Sequence, residues 1–180
     1  MTYKSIDTIL AELTVRGQTG GPRLVPVLPL SADIDQSDVR EMLMPPVLLA
    51  ELSKNDPKKT RDFNANVRAF LLRFVLGSEV DNNEYMKCWR DDIFELRVQL
   101  RKRQESLRIF GGFARADSFI ALLSKPRAYF GDGSDPRWDE IVEKTIDRWE
   151  ALLPNMKRVP ARPFSNCVTA NCYDVHGGTK

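Results

Sequence analysis

The chain has 180 residues, 42% of them hydrophobic and 29% charged, with 27 Lys and Arg against 25 Asp and Glu. This composition excludes collagen, low-complexity disorder and a disulfide-dense scaffold, and the length predicts one domain that buries roughly 70% of its unfolded surface. The longest uncharged apolar stretches, such as Met42–Ala50, fall far short of the roughly 20 residues needed to cross a bilayer. The first residues carry Asp7 and Glu12 inside their apolar part and do not read as a secretory signal. Cys88, Cys167 and Cys172 form a sparse, odd set that suits a reducing compartment. The expectation is a soluble, cytoplasmic protein with no membrane partner.

Ile6, Ile9, Leu10 and Leu13 have helical spacing and predict a short helix over 4–15, which RGQTGGP at 16–22 interrupts. Leu24–Leu30 reads as extended, and its prolines at 26 and 29 confine it to a sheet edge. Val39, Leu43, Val47, Leu48 and Leu52 predict a helix over 37–53, interrupted near Pro45-Pro46. A second helix opens at Pro57 and runs to 76, with Phe63, Val67, Phe70, Leu71 and Phe74 on one face and Gly77 as its C-terminal cap. From Ile93 the period changes. Ile93, Glu95, Arg97 and Gln99 face one way, and Phe94, Leu96, Val98 and Leu100 the other. Arg101–Ser106 is a charged hairpin loop, followed by strands Leu107–Ala114 and Ser118–Leu123 around a tight turn at 115–117. The glycines of GGFA at 111–114 sit inside a strand and predict a bulge or a close backbone approach. Asp135 or Ser134 caps a last helix, with Ile141, Thr145, Ile146, Trp149 and Leu152-Leu153 as its buried stripe. Beyond Pro154 the pattern is irregular. These elements predict an α+β domain over 22–153, an N-terminal extension over 1–21 and an irregular or disordered tail over 154–180.

Charge is unevenly spread. Residues 97–127 carry eight basic and two acidic side chains, whereas residues 132–150 carry seven acidic and three basic ones. A basic segment of this kind attracts polyanions, and it equally suits a solvated face balanced by the acidic segment that follows.

Most standard chemical constellations are missing. Gly17, Gly20 and Gly21 lack the Lys-Ser/Thr of a phosphate loop. A single histidine, His176, lies in the tail, which disfavours hydrolytic triads. Cys167, Cys172 and His176, with Cys88 as a fourth ligand, invite a zinc reading, but the spacing departs from the usual knuckle, so no metal is expected. The pairs Asp91-Asp92 and Asp139-Glu140 are adjacent in sequence and are explained by the start of a strand and a helix N-terminus.

What remains is the meander. Arg97, Arg108, Lys125, Arg127 and Tyr129 follow one another on neighbouring strands and converge on one face if sequential strands pair. Arginines so placed bind a phosphodiester and its transition-state charge, with a tyrosine or lysine moving protons. In the plainer alternative, Arg97 and Arg108 pair with Glu95 or Glu105, and Tyr129 closes the core.

The run DDIFELRVQL (91–100), SLRIFGGFA (106–114), SFIALLSKPRAYF (118–130) and the helix beginning DPRWDEI (135–141) resembles the RelE/HigB superfamily of bacterial and phage toxins, its HigB-like branch in particular. The resemblance spans roughly Leu24 to Leu153 and implies a helical hairpin packed on a small antiparallel sheet. It also implies a toxin-like endoribonuclease that cleaves mRNA on the ribosome without a metal or other cofactor, and an antitoxin partner. Carried over by position, Arg97 and Arg108 are the phosphate-binding catalytic residues and Tyr129 the proton-transfer residue. Lys125 and Arg127 hold RNA, as Arg101, Lys102 and Arg103 of the preceding loop would. The chain is longer than family members commonly are, and Pro126 interrupts the basic pair. Two other classes compete. The N-terminal helix, LVPVLPL and the long tail suit a non-catalytic protein-binding module of a phage or mobile element, and a structural assembly protein is a third possibility.

Overall fold

A computed structural model describes residues 24–27, 39–53, 63–81, 84–99 and 106–173. The predicted helix over 4–15, the break at 16–22 and the loop cations Arg101, Lys102 and Arg103 lie outside the described residues, as does His176. Among the described residues there are eight strands: β1 (Val25–Pro26), β2 (Glu41–Met44), β3 (Val80–Asp81), β4 (Met86–Cys88), β5 (Phe94–Val98), β6 (Leu107–Arg115), β7 (Ser118–Pro126) and β8 (Cys172–Tyr173). The α-helices are α1 (Pro46–Ser53), α2 (Phe63–Val75) and α3 (Arg137–Leu152). Among the described residues no helix is long and apolar enough to cross a membrane.

The sheet corrects the sequence-based expectation. It has six strands in the order β1-β2-β7-β6-β5-β4, and β2 runs parallel to β7 while its other pairings are antiparallel. A small antiparallel sheet carrying a RelE-like helical hairpin is therefore not what this chain builds; the domain is α+β around a larger mixed sheet. The difference originates at Glu41–Met44, which the periodicity assigns to a helix over 37–53. Met42, Leu43 and Met44 are all buried, because a strand covered on both faces is a continuous apolar run without alternation. Pro45-Pro46 then opens α1 rather than interrupting a longer helix, since a proline in the first turn forfeits no helical hydrogen bond.

The antiparallel meander β5-β6-β7 and the edge position of β1 follow the sequence reading. Gly77 ends α2 at φ 71°, where the Ser78 N–H donates to the Arg73 carbonyl at 3.0 Å, so a residue able to adopt a left-handed conformation is required there. At the other end of the meander Asp135 accepts the Arg137 N–H at 2.9 Å and opens α3. The Arg137 side chain and the backbone N–H groups of Arg137 and Gly131 hold its carboxyl well below the usual carboxylate range.

Helices cover both faces of the sheet. Leu48 and Leu52 of α1 and Phe63, Val67, Leu71 and Phe74 of α2 bury one face over Met42, Met44, Leu96, Ile109, Phe113 and Phe119. On the other face α3 sets Trp149 over Ile120 and Leu122, and Trp138 and Ile141 over Phe110 and Leu123. Both Leu122 and Leu123 reach the α3 face because Phe110 pairs Leu123 while Gly111 pairs Ala121, which leaves Leu122 as an extra residue in β7. This bulge uses Gly111: a Cβ there would lie 1.9 Å from the Ile120 carbonyl oxygen. Alternation resumes after the slip with its phase reversed, so Ser124 meets Glu51 of α1 and Lys125 shares the α3 face with Arg108.

The segment after α3 has little regular structure but is packed. It passes Asp92, whose carboxylate accepts the Ala161 N–H at 2.8 Å, and buries Phe164, Cys167 and Val168 in the α1/α2 core. Burial pushes the Cys167 thiol up to about 12, so it packs as a neutral apolar group. Arg40 ties this segment down. Its guanidinium donates to the carbonyls of Phe74 (3.3 Å), Ser78 (2.7 Å) and Ala170 (2.6 Å) and lies 3.8 Å from Asp117.

Candidate nucleic-acid interface

The register aligns three of the predicted site residues in one row. Arg97 of β5 is directly opposite Arg108 of β6, which is directly opposite Lys125 of β7. Adjacent strands are about 4.8 Å apart, so the row spans roughly 10 Å. Like charges directly opposite one another destabilise a sheet, and a fold that keeps three of them needs a counterweight. Glu95 supplies part of it. In the neighbouring row of the same face, Lys87 of β4, Glu95, Phe110 and Leu123 follow one another across four strands. The Glu95 carboxylate is 1% exposed; Arg97 Nε donates to its Oε1 at 3.3 Å, and Trp89 Nε1 donates to its Oε2 at 3.0 Å. Arg108 Nε forms an ion pair with the same Oε1 at 2.7 Å, although its N–H is not aligned for an in-line hydrogen bond. A single buried carboxylate thus positions both arginines and a tryptophan, the pairing that the plainer alternative anticipated. Arg97 is 24% exposed and Arg108 12%, and a terminal nitrogen of Arg108 also donates to the Leu107 carbonyl at 3.1 Å.

Aromatic rings border the cations. Lys125 Nζ lies 5.4 Å from the centre of the Tyr129 ring, with Arg137 at 5.5 Å from the same ring. Tyr129 is half-buried and packs edge-on against Phe130, so it both closes the core and borders the basic row. Lys87 Nζ sits 3.8 Å from the centre of the Trp89 ring. Burial, together with the nearby Arg97 charge and against the pull of Glu95, holds Lys87 below the ordinary lysine range.

Arg127 is placed differently from Lys125. It begins the 3-10 turn Arg127–Tyr129, and one of its terminal nitrogens donates to the carbonyls of Phe130 (2.8 Å) and Gly131 (2.9 Å). Its guanidinium shapes the link into α3. Lys87, Trp89 and Glu95 were not singled out as site residues from the sequence. For Glu95 the alternation over 93–99 already placed it beside Arg97; for Lys87 and Trp89 the three-residue strand β4 offered no periodicity to read. Cys167 points at the Pro160 carbonyl, 3.6 Å away, inside the core, and no group of three or more His, Cys, Asp or Glu able to hold a metal ion occurs among the described residues.

No family model matches this chain, and no curated protein and no solved structure matches it significantly.

Proposed function

We propose that this protein binds RNA through the face formed by Lys87, Arg97, Arg108 and Lys125 and cleaves it as a toxin-like endoribonuclease. The observation that carries the proposal is the cross-strand row Arg97–Arg108–Lys125, pre-set by a buried carboxylate and bordered by Trp89 and Tyr129. Arginines held this way present planar donors to a phosphodiester without having to be ordered on binding, and they stabilise the extra charge of a pentacoordinate transition state. Tyr129, beside Lys125, is the residue assigned to proton transfer. The proposal stands on these residues and no longer on a RelE-like sheet. mRNA on the ribosome as substrate, a cytoplasmic location and a neutralising antitoxin belong to the same proposal, through the resemblance of the strand motifs.

The test has two stages. Anisotropy of a labelled RNA, titrated with salt, should give a log–log slope of about −2 to −3, the value for three or four phosphate contacts on a single strand. Absence of salt-sensitive binding would overturn the proposal in favour of a protein-binding module. In a bacterial cell-free translation reaction, primer extension should then map new mRNA ends that require ongoing translation and vanish with Arg97→Ala. Binding without cleavage would retain the interface and remove the nuclease.

A further inference from the structure

We propose that the outer face of Trp89 is a base-stacking platform, so that this interface takes single-stranded rather than duplex RNA. The inference rests on the RNA-binding reading above and extends it to the substrate's form. Trp89 follows β4, the edge strand of the sheet among the described residues, on the side where the row of cations ends at β5. Its ring is fixed twice. It stacks on Trp138 with centroids 5.2 Å apart and planes 20° apart, and Trp138 stacks on Phe130 at 3.8 Å and 10°. Its Nε1 is held by Glu95, the carboxylate that also positions Arg97 and Arg108. Aromatic column and phosphate-binding row are therefore parts of one rigid unit, joined through a single side chain.

Trp138 occupies one face of the Trp89 ring, and a near-parallel ring there leaves no room for an ammonium on the same side. The other face carries Lys87 Nζ. Lysine on a four-carbon stem is readily displaced, and stacking of a nucleobase is the stronger contact for a half-buried indole. A base arriving on Trp89 would turn Lys87 toward its phosphate, adding one charge contact beside the row. Bases within a duplex are already stacked on both sides and have no face to offer.

The experiment compares wild-type protein, Trp89→Phe and Trp89→Leu, each checked by circular dichroism, on a labelled single-stranded 10-mer RNA and on the duplex of the same sequence. Wild type should prefer the single strand by about tenfold or more at equal salt, the range expected for one stacked base. Trp89→Phe, which keeps a ring but loses the N–H, should bind within about threefold of wild type, whereas Trp89→Leu should lose about tenfold. The salt slope should be unchanged in both variants. Equal affinity for the two RNAs, or a leucine variant that binds like wild type, would overturn the platform. So would a phenylalanine variant as weak as leucine, which would assign Trp89 to holding Glu95 alone. Should the leucine variant fail to fold, iodide quenching decides. Trp138 and Trp149 are only 6% and 1% exposed, so the quenchable emission belongs to Trp89. Single-stranded RNA should protect it and duplex should not; quenching unaltered by the single strand overturns the platform. Failure of wild type to bind either RNA would instead remove the RNA-binding reading.

Discussion

Arg40 and the Arg97–Arg108 pair are both arginines drawn into the fold, yet the protein uses them in opposite ways. Arg40 is 1% exposed and gives its guanidinium to three backbone carbonyls, from the end of α2, from the turn after it and from the C-terminal segment. Those acceptors lie in three different segments of the chain, so the contact is a clamp. Arg97 and Arg108 are held at their Nε atoms by one buried carboxylate, with a terminal nitrogen of Arg108 also donating to the Leu107 carbonyl at 3.1 Å, and both stay partly exposed. A guanidinium already fixed by a carboxylate and still partly exposed costs little to order when an anion arrives. The lesson is that residual exposure, more than charge alone, separates a structural arginine from a ligand-binding one.

The sharpest way to break this contrast is to remove the clamp. Arg40→Ala leaves the buried Phe74 carbonyl and the part-buried Ser78 and Ala170 carbonyls without their donor, and Asp117 without its cation, at a cost of roughly 3–5 kcal/mol. Against a typical total of about 5–15 kcal/mol for a domain, this should lower the urea midpoint severely or leave the protein unfolded. Arg40→Lys should recover only part, because one ammonium cannot span three carbonyls; a fully stable lysine variant would show that the clamp is not structural. Next in size is Glu95→Gln. It removes the negative charge facing two guanidiniums that are partly wet, so the expected cost is about 2 kcal/mol by urea unfolding, below that of the fully buried case. Arg97→Ala completes the series from the other side. Arg108 and Trp89 still face Glu95, so stability should fall by less than about 1 kcal/mol, while RNA affinity should drop about tenfold. The double alanine variant at 97 and 108 is a poorer test, because it strips a buried carboxylate of both cations and would confuse unfolding with loss of binding. Equal stability losses for Arg40→Ala and Arg97→Ala, with RNA affinity intact, would erase the distinction.

How much of this was legible in the sequence depended on whether the signal was local. The meander, the turn at 115–117, the glycine cap at Gly77 and the opening of α3 at Asp135 are set by alternation and turn chemistry, and all are read correctly from the residues. The parallel pairing of Glu41–Met44 with β7 was hidden, because a doubly buried strand of four residues has no period and prolines beside it suggest a broken helix. The site was half legible. Arg97, Arg108 and Lys125 were named, but their meeting on one face depends on a bulge whose extra residue is Leu122 in β7, while the sequence signal, Gly111, lies on β6. Parity counted along an ideal strand would have sent Lys125 to the α1 side. Arg40 carried no signal at all: its acceptors are backbone carbonyls 34 to 130 residues away.

The smallest effect concerns Lys87, and it distinguishes a wet cation from a buried one by pH. Burial, more than the nearby Arg97 charge, depresses the Lys87 pKa, and Glu95 offsets only part of this. A lysine whose folded pKa lies below its ordinary 10.5 loses its charge earlier as pH rises, so its contribution to polyanion binding fades on the alkaline side before 10.5 is reached. RNA affinity of the wild type should therefore decline by a few-fold as pH rises toward 10.5, with the salt slope shrinking by about 0.7 as one phosphate contact disappears. Lys87→Arg, charged throughout that range, should bind with an affinity that stays flat over it and a slope that does not change. Arg40 offers the internal control: it stays charged over that range and faces carbonyls rather than ligand, so unfolding midpoints across the same window should not track the loss of binding. If affinity and unfolding midpoint fell together, Lys87 would belong with Arg40 among the structural cations and the interface would end at β5.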